Sequence, residues 1–227
     1  RYKEQQDSVL EMKSVHSYFV KPLLETDEEN LLAIKKKQRA VVRHSLKNEL
    51  VTEVNRDIDD FYTIYSTSVR NLGTPVFSKS FMANVLNEFS DRSDILSVKK
   101  DNKTVSSVMN FYYKNEVLPY YGGGLFEARG LKSNDHMYYK LMCHAAAKGC
   151  TSFDFGRSKN DSGAYKYKKT WGIEPTPLYN YYFLVNAESI PNLSPNNPKY
   201  QLMIKVWQKL PLKVSQFIGP FLSKYLG

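Results

Sequence analysis

The sequence predicts an α/β domain built on a mixed, mostly antiparallel sheet flanked by helices. Three observations lead there. From Ile95 to Tyr121 the apolar period is two, in three runs separated by Asp101-Asn102 and Lys114-Asn115, the pattern of an antiparallel meander. On either side apolar residues recur at helical spacing, as in Ile58, Phe61, Tyr65 and Leu72, or Met137, Leu141, Met142 and Ala145. Two further strands, Thr151 to Phe155 and the aromatic Leu178 to Val185, follow the later helix, so helices and strands are mixed along the chain.

Taken in order, Val15 to Leu24 reads as a strand with no partner strand before it. Thr26-Asp27-Glu28-Glu29 has the form of a capping box and opens a helix expected to run to about Asn48. Lys36, Arg39, Arg43 and Lys47 recur three or four apart on it and form one cationic stripe opposite Leu32 and Val42. A short strand at Val51 to Val54 precedes a helix from Asp57, which Gly73 and Pro75 stop. Phe81, Val85 and Phe89 mark a third helix from Ser78. After the meander, Gly122-Gly123-Gly124 ends its last strand, and Ser133-Asn134-Asp135 supplies capping residues for the helix that Gly149 closes.

In the strand from Thr151, Phe153 and Phe155 share one face and Ser152 and Asp154 the other. Asp161-Ser162-Gly163 begins a short helix ending at Trp171-Gly172. Ser189 to Asn197 is a linker by composition. Beyond it lie two amphipathic helices, one striped by Tyr200, Met203, Trp207 and Leu210, the other by Val214, Phe217, Ile218, Phe221, Leu222 and Tyr225 and kinked at Pro220.

Composition narrows the function. With 227 residues and 42% hydrophobic content the chain can bury a core without disulfides or metal, and it is too apolar for disorder. Lys plus Arg number 32 against 23 Asp plus Glu, a net charge of +9 that suits an anionic partner: phosphate, nucleic acid or a lipid surface. Cys143 and Cys150 are too few for a secreted disulfide scaffold and lack partners at zinc-site spacing, so no metal is expected and a reducing cytosol is the expected compartment. No run approaches the about 18 apolar residues of a spanning helix, and the opening Arg1-Tyr2-Lys3-Glu4-Gln5-Gln6 is not a signal peptide.

The densest functional text is Phe153-Asp154-Phe155-Gly156-Arg157-Ser158-Lys159, followed by residues 162–172. A strand ending in Gly-Arg puts a guanidinium where backbone amides and a following helix N-terminus favour anions, which singles out Arg157, with Lys159 beside it. Asp161, Tyr165 and Lys168 are spaced to share a helix face. The bland alternative keeps Lys166, Lys168 and Lys169 as a solvated basic turn and Tyr165 and Trp171 as core residues. His16, His44, His136 and His144 lack convincing catalytic partners, and Cys143 and Cys150 read as small core residues.

Gly163-Ala164-Tyr165-Lys166-Tyr167-Lys168-Lys169-Thr170-Trp171-Gly172 resembles the Gly-x-Tyr-x-(Phe/Tyr)-Lys-x-x-(Phe/Trp)-Gly pattern of the Fem-type aminoacyl ligases, relatives of the GNAT-like acyltransferases. The 153–159 text, the Trp171 to Leu178 segment and Arg70-x-Leu72-Gly73-Thr74-Pro75 resemble more closely the FemAB-related branch associated with exosortase/PEP-CTERM and exopolysaccharide clusters. The resemblance spans roughly residues 30 to 226. It implies a GNAT-like domain at 49–187, preceded by the basic helix at 26–48 and followed by linker and tail at 188–227. Residues 1–25 would then be the last strand of a preceding, missing GNAT-like domain.

It further implies transfer of an acyl or aminoacyl group from acyl-CoA or aminoacyl-tRNA, with no tightly bound cofactor, to an amine of a cell-envelope or exopolysaccharide precursor. Asp154, Tyr165 and Lys168 become the catalytic candidates, with Asp154 either a proton acceptor or a structural partner of Arg157 or Lys168. Arg157, Lys159, Lys166, Arg39 and Arg43 become the candidates for binding the donor's anionic groups. The stretch from Gly122 to Asp135 departs from the Arg/Gln-x-x-Gly-x-Gly/Ala loop that holds CoA pyrophosphate in GNAT enzymes, and Asp135 puts a negative charge at that helix start, which favours tRNA or another CoA pose. The lysine-rich apolar tail at 198–227 is expected to dock on a membrane, at its inner face, or on the missing domain. A catalytically silent module of the same fold, binding nucleic acid or anionic lipid through Lys36, Arg39, Arg43 and Lys47, is the alternative.

Overall fold

The computed structural model describes residues 4, 5, 9–186, 189, 190 and 198–224. The linker expected at Ser189 to Asn197 lies largely outside them, as do Tyr225, the side chain of Tyr200 and most of the first eight residues.

A seven-stranded sheet organises the chain. Its strands are β1 (Glu11–Pro22), β2 (Val51–Asn55), β3 (Ser93–Lys100), β4 (Lys103–Tyr113), β5 (Glu116–Gly124), β6 (Ser152–Lys159) and β7 (Thr176–Tyr182), in the order β2-β3-β4-β5-β6-β1-β7. The meander forms as the period-two pattern requires, with positive φ at Asp101, Asn102 and Lys114 in its two turns. All neighbours run antiparallel except β5 and β6.

One strand is not the orphan the sequence suggested. β1 lies between β6 and β7 and pairs with both, Tyr18 opposite Arg157 on one side and opposite Thr176 on the other. Its partners come later in the chain, where reading from the N-terminus could not find them, and residues 11–22 therefore belong to this sheet.

The basic helix is also two helices, α1 (Asp27–Leu32) and α2 (Lys36–Ser45). The Thr26–Glu29 capping box is present and starts α1. The break comes where Lys35 turns extended (φ −53°, ψ 140°), the buried Lys21 donates to the Ala33 carbonyl at 3.0 Å, and Gly172 leaves room against the same carbonyl. A continuous helix would have used that carbonyl internally.

Helices cover the sheet on two sides. α1, α2 and α5 (Ser133–Ala147) pack Leu31, Val42, Met137, Leu141 and Met142 onto Leu96, Val98, Val108, Val117 and Phe153. α3 (Ile58–Leu72) and α4 (Lys79–Glu88) pack Phe61, Tyr65, Met82 and Leu86 onto Ile95 and Met109. The alternation of Ile95 and Leu96, or Val108 and Met109, between the two clusters is the strand period expressed in three dimensions. Asp57 and Ser78 cap α3 and α4 as expected, and Gly73 ends α3 in the left-handed region.

At the start of α5 the expected caps move inward. Lys132 takes the N-cap position, and Ser133, Asn134 and Asp135 form the first turn. At its other end, Asp94 is nearly buried and accepts hydrogen bonds from Asn110 (2.9 Å), Tyr112 (2.8 Å) and His144 (3.2 Å), with Lys148 at 3.4 Å. Burial works to raise its carboxyl, yet these partners hold it below the ordinary range.

Gly122-Gly123-Gly124 does more than end a strand. A Cβ on Gly123 would lie 2.4 Å from the Ser68 Cβ of α3, so the glycine is what lets α3 lie on β5. Gly123→Ala must push helix and strand apart and is expected to cost about 1–3 kcal/mol, measurable as a lower urea midpoint.

His136 is 2% exposed between α2 and β2, within hydrogen-bonding distance of Ser45 Oγ and Thr52 Oγ1. Burial, helped by nearby Lys140, pulls its imidazole from 6.5 down to about 4. The unfolded chain takes up this proton below 6.5 while the folded chain refuses it until about 4. Stability should therefore fall as pH drops across that window, by up to about 3 kcal/mol. Urea unfolding as a function of pH should show a shallower slope there for His136→Gln than for the unmodified chain.

Candidate active site

β5 and β6 meet at only two residue pairs, Glu116 with Ser152 and Val117 with Phe153. Beyond them the strands part. Pro119 has no N–H to offer a ladder, and each strand carries a bulge just past the junction: Tyr120 drops out of register between Asn110 and Met109, and Phe155 between Val20 and Phe19. The result is a split in the middle of the sheet, walled by residues 118–124 and 154–159.

The β6 bulge is built by three groups. Gly156 adopts φ +68°, a left-handed conformation that glycine accepts without strain. Asp154 Oδ1 accepts the Gly156 N–H at 2.6 Å and closes the turn. Lys168, on α6 (Gly163–Thr170), donates its ammonium to the carbonyls of Gly156 (3.3 Å) and Arg157 (3.1 Å). That ammonium also lies 5.5 Å from the centre of the Phe19 ring, against which Tyr165 packs edge-on at 5.3 Å.

Lys168 is half-buried, and burial brings its ammonium down to about 8, with the charge of Asp154 acting in the opposite direction. The cluster thus unites Asp154, Tyr165 and Lys168 at the strand end that also bears Arg157. Arg157, Lys159 and Lys166 are exposed around it. Asp161, expected on the α6 face, instead precedes the helix at φ +62°, and Ser162 is the N-cap. Arg39 turns Nε to the Ile34 carbonyl and Arg43 lies 4.0 Å from Glu28, so both engage the α1–α2 segment rather than Arg157 or Lys168.

Sequence reading missed two contributors. Phe19, fully buried on β1, is the floor for both Tyr165 and Lys168, and it was hidden in a strand assigned elsewhere. Gln38 lies between the cations of α2, and its amide donates to Asp135 Oδ1 at 2.6 Å while its carbonyl accepts from Thr170 at 3.2 Å. Tyr167 donates to the same Asp135 oxygen at 2.9 Å. Asp135 therefore locks α2, α5 and α6 together and keeps a carboxylate in the first turn of α5, where an incoming phosphate would be repelled.

The sheet is thus split between β5 and β6, with a bulge on each lip and Lys168 bound to the β6 lip. A family profile described as an acetyltransferase (GNAT) domain matches residues 33–169. The chain belongs to that family.

Among proteins of known function it is similar to the lipid II:glycine glycyltransferase of Staphylococcus aureus, 22% identical over 183 residues, covering 71% of this chain and 41% of the relative. Among solved structures it resembles FemX, with a TM-score of 0.66 at 18% identity over 83% of this chain and 64% of the other. It also resembles the C-terminal domain of a putative lysylphosphatidylglycerol synthetase from Agrobacterium fabrum, with a TM-score of 0.59 at 15% identity over 75% and 60% of the two chains. The GNAT-like fold expected from the resemblance of residues 153–172 is thus shown. The chain spans about two-fifths of the glycyltransferase's length.

The thiols take no part in the cluster. Cys143 is buried, and burial together with a hydrogen bond to Asp27 pushes it up to about 12. Cys150 is buried and raised as well. Iodoacetamide at mildly alkaline pH should leave Cys143 unmodified in the folded chain and label it only after denaturation, as mass spectrometry would show.

Proposed function

We propose that this GNAT domain transfers an acyl or aminoacyl group from an activated donor, an aminoacyl-tRNA ester or an acyl-CoA thioester, to an amine on a cell-envelope precursor. The observation that carries the reading is the Lys168 ammonium, lowered to about 8 and held at the lip of the split between β5 and β6. The names of the similar proteins, a lipid II:glycine glycyltransferase and FemX, support the amine acceptor and the envelope setting.

In this reading the acceptor's neutral amine attacks the donor's carbonyl carbon directly. Its lone pair forms the new C–N bond, the carbonyl electrons move to oxygen, and collapse of the tetrahedral oxyanion expels the ribose hydroxyl or the thiol, with the amine's surplus proton leaving through solvent. No protein nucleophile is required, consistent with the inert thiols and the buried His136. Lys168 in its charged form stabilises the oxyanion, and Asp154 fixes the bulge that aims it. Tyr165 and Phe19 hold the lysine stem, and the exposed Arg157, Lys159 and Lys166 meet the donor's phosphates. The carboxylate of Asp135 at the α5 start favours a donor anchored at this rim, which suits tRNA better than CoA pyrophosphate.

The test is turnover with aminoacyl-tRNA and with acyl-CoA against a muropeptide amine. Lys168→Met should lower kcat by roughly 10²–10³, the usual effect of losing one oxyanion donor. Because only the ammonium acts, the rate should fall as pH rises through about 8. Lys168→Arg, charged throughout, should lose that falling limb. A rate that instead climbs through the same pH and flattens in Lys168→Arg would make Lys168 a proton acceptor and overturn the assignment.

A further inference from the structure

The helices α7 (Pro198–Gln208) and α8 (Leu212–Ser223) pack on α3 and the turn after it. A Cβ on Gly73 would meet the Ile204 side chain at 2.4 Å, one on Gly219 would meet the Val76 backbone at 2.8 Å, and Arg70 donates to the Leu210 carbonyl at 2.9 Å. Gln208 donates to the Asn71 carbonyl and Gln216 to Ser66 Oγ. The hairpin is therefore fixed in orientation.

What it presents outward is unusual. On α8 the buried positions are Ser215, Gly219 and Ser223, small residues four apart, while Phe217 (74% exposed), Ile218 and Phe221 face away from the protein. On α7, Leu202 (69% exposed), Met203 and Val206 do the same. The α8 stripe read from the sequence thus points outward, the reverse of a helix that stabilises its own core, whereas on α7 Met203 is exposed but Trp207 and Leu210 of the expected stripe are half-buried, and the outward apolar face is completed by Leu202 and Val206 instead. Exposed Lys205, Lys209 and Lys213 lie among them, and residues 198–224 contain no Asp or Glu.

We infer that the α7–α8 hairpin is a docking face for an anionic phospholipid surface. A core-forming or protein-binding helix would gain from mixed charge, whereas apolar side chains ringed only by lysines match acyl chains beneath anionic headgroups. The hairpin lies in the interface rather than through it, since among the described residues no helix is long and apolar enough to cross a membrane. Because α3 also touches β5 at Gly123, one helix joins the lipid face to a lip of the split sheet. The inference stands on the hairpin alone and does not depend on the transfer reading.

The experiment is flotation of the chain with phosphatidylcholine vesicles, with and without phosphatidylglycerol, alongside sedimentation velocity without lipid. Binding to the phosphatidylglycerol vesicles and not to pure phosphatidylcholine is expected. The triple reversal Lys205→Glu, Lys209→Glu, Lys213→Glu should weaken it by roughly tenfold or more, and Phe217→Ser with Phe221→Ser should weaken it comparably. Every substituted side chain is exposed, so unfolding midpoints should stay near the unmodified value. No vesicle binding, binding unchanged in both variants, or a dimer without lipid that the aromatic pair abolishes would overturn the inference, the last by making the face a contact between copies.

Discussion

Two residue pairs joining β5 to β6 are the constraint on which the rest of this molecule depends. A sheet that splits in its middle loses ladder hydrogen bonds where they would be most buried, so each lip needs another means of satisfying and aligning its backbone. On the β6 lip a carboxylate and an ammonium do this, Asp154 taking the Gly156 N–H and Lys168 the carbonyls of Gly156 and Arg157. On the β5 lip Gly123 lets α3, and Gly124 the amide of Asn134, approach the strand closely. The groups that hold the split open are also the groups with chemistry to offer.

Since the ladder does not hold the two halves of the sheet together, polar contacts between helices carry part of that burden. The Gln38–Asp135–Tyr167 network joins α2, α5 and α6, and Thr170 closes it from the end of α6. Asp94 ties the far end of α5 to β3 and β4 through His144, Asn110, Tyr112 and Lys148. Arg56 donates to the carbonyls of Leu86, Ser90 and Ser93 and so fixes the end of α4 to β3. Gln38, Asp94, Asp135 and Tyr167 are buried or half-buried polar groups held by hydrogen bonds, which favours one arrangement over near alternatives.

Much of the fold was legible in the sequence because it is written in local periods. The meander, the caps at Thr26, Asp57 and Ser78, and the stop at Gly73 depend on residues within a turn or two of each other. The Gly163–Gly172 text marked the family for a comparable reason, since α6 carries Tyr165, Tyr167 and Lys168 within one short helix.

What the sequence by itself determined is therefore the set of elements, the family and the short segment where the lysine and its aromatic neighbours lie. Tertiary structure alone decided that β1 inserts between β6 and β7, which sets Phe19 beneath Lys168, and that the basic helix breaks at Lys35 around Lys21 and Gly172. It also decided which way the tail stripes face. Periodicity specifies that a helix has an apolar side but not what lies opposite it, and small residues at Ser215, Gly219 and Ser223 let α8 approach its neighbours by its other face. Direction and partnership across long separations come from packing, because they depend on groups that meet only when distant parts of the chain are brought together.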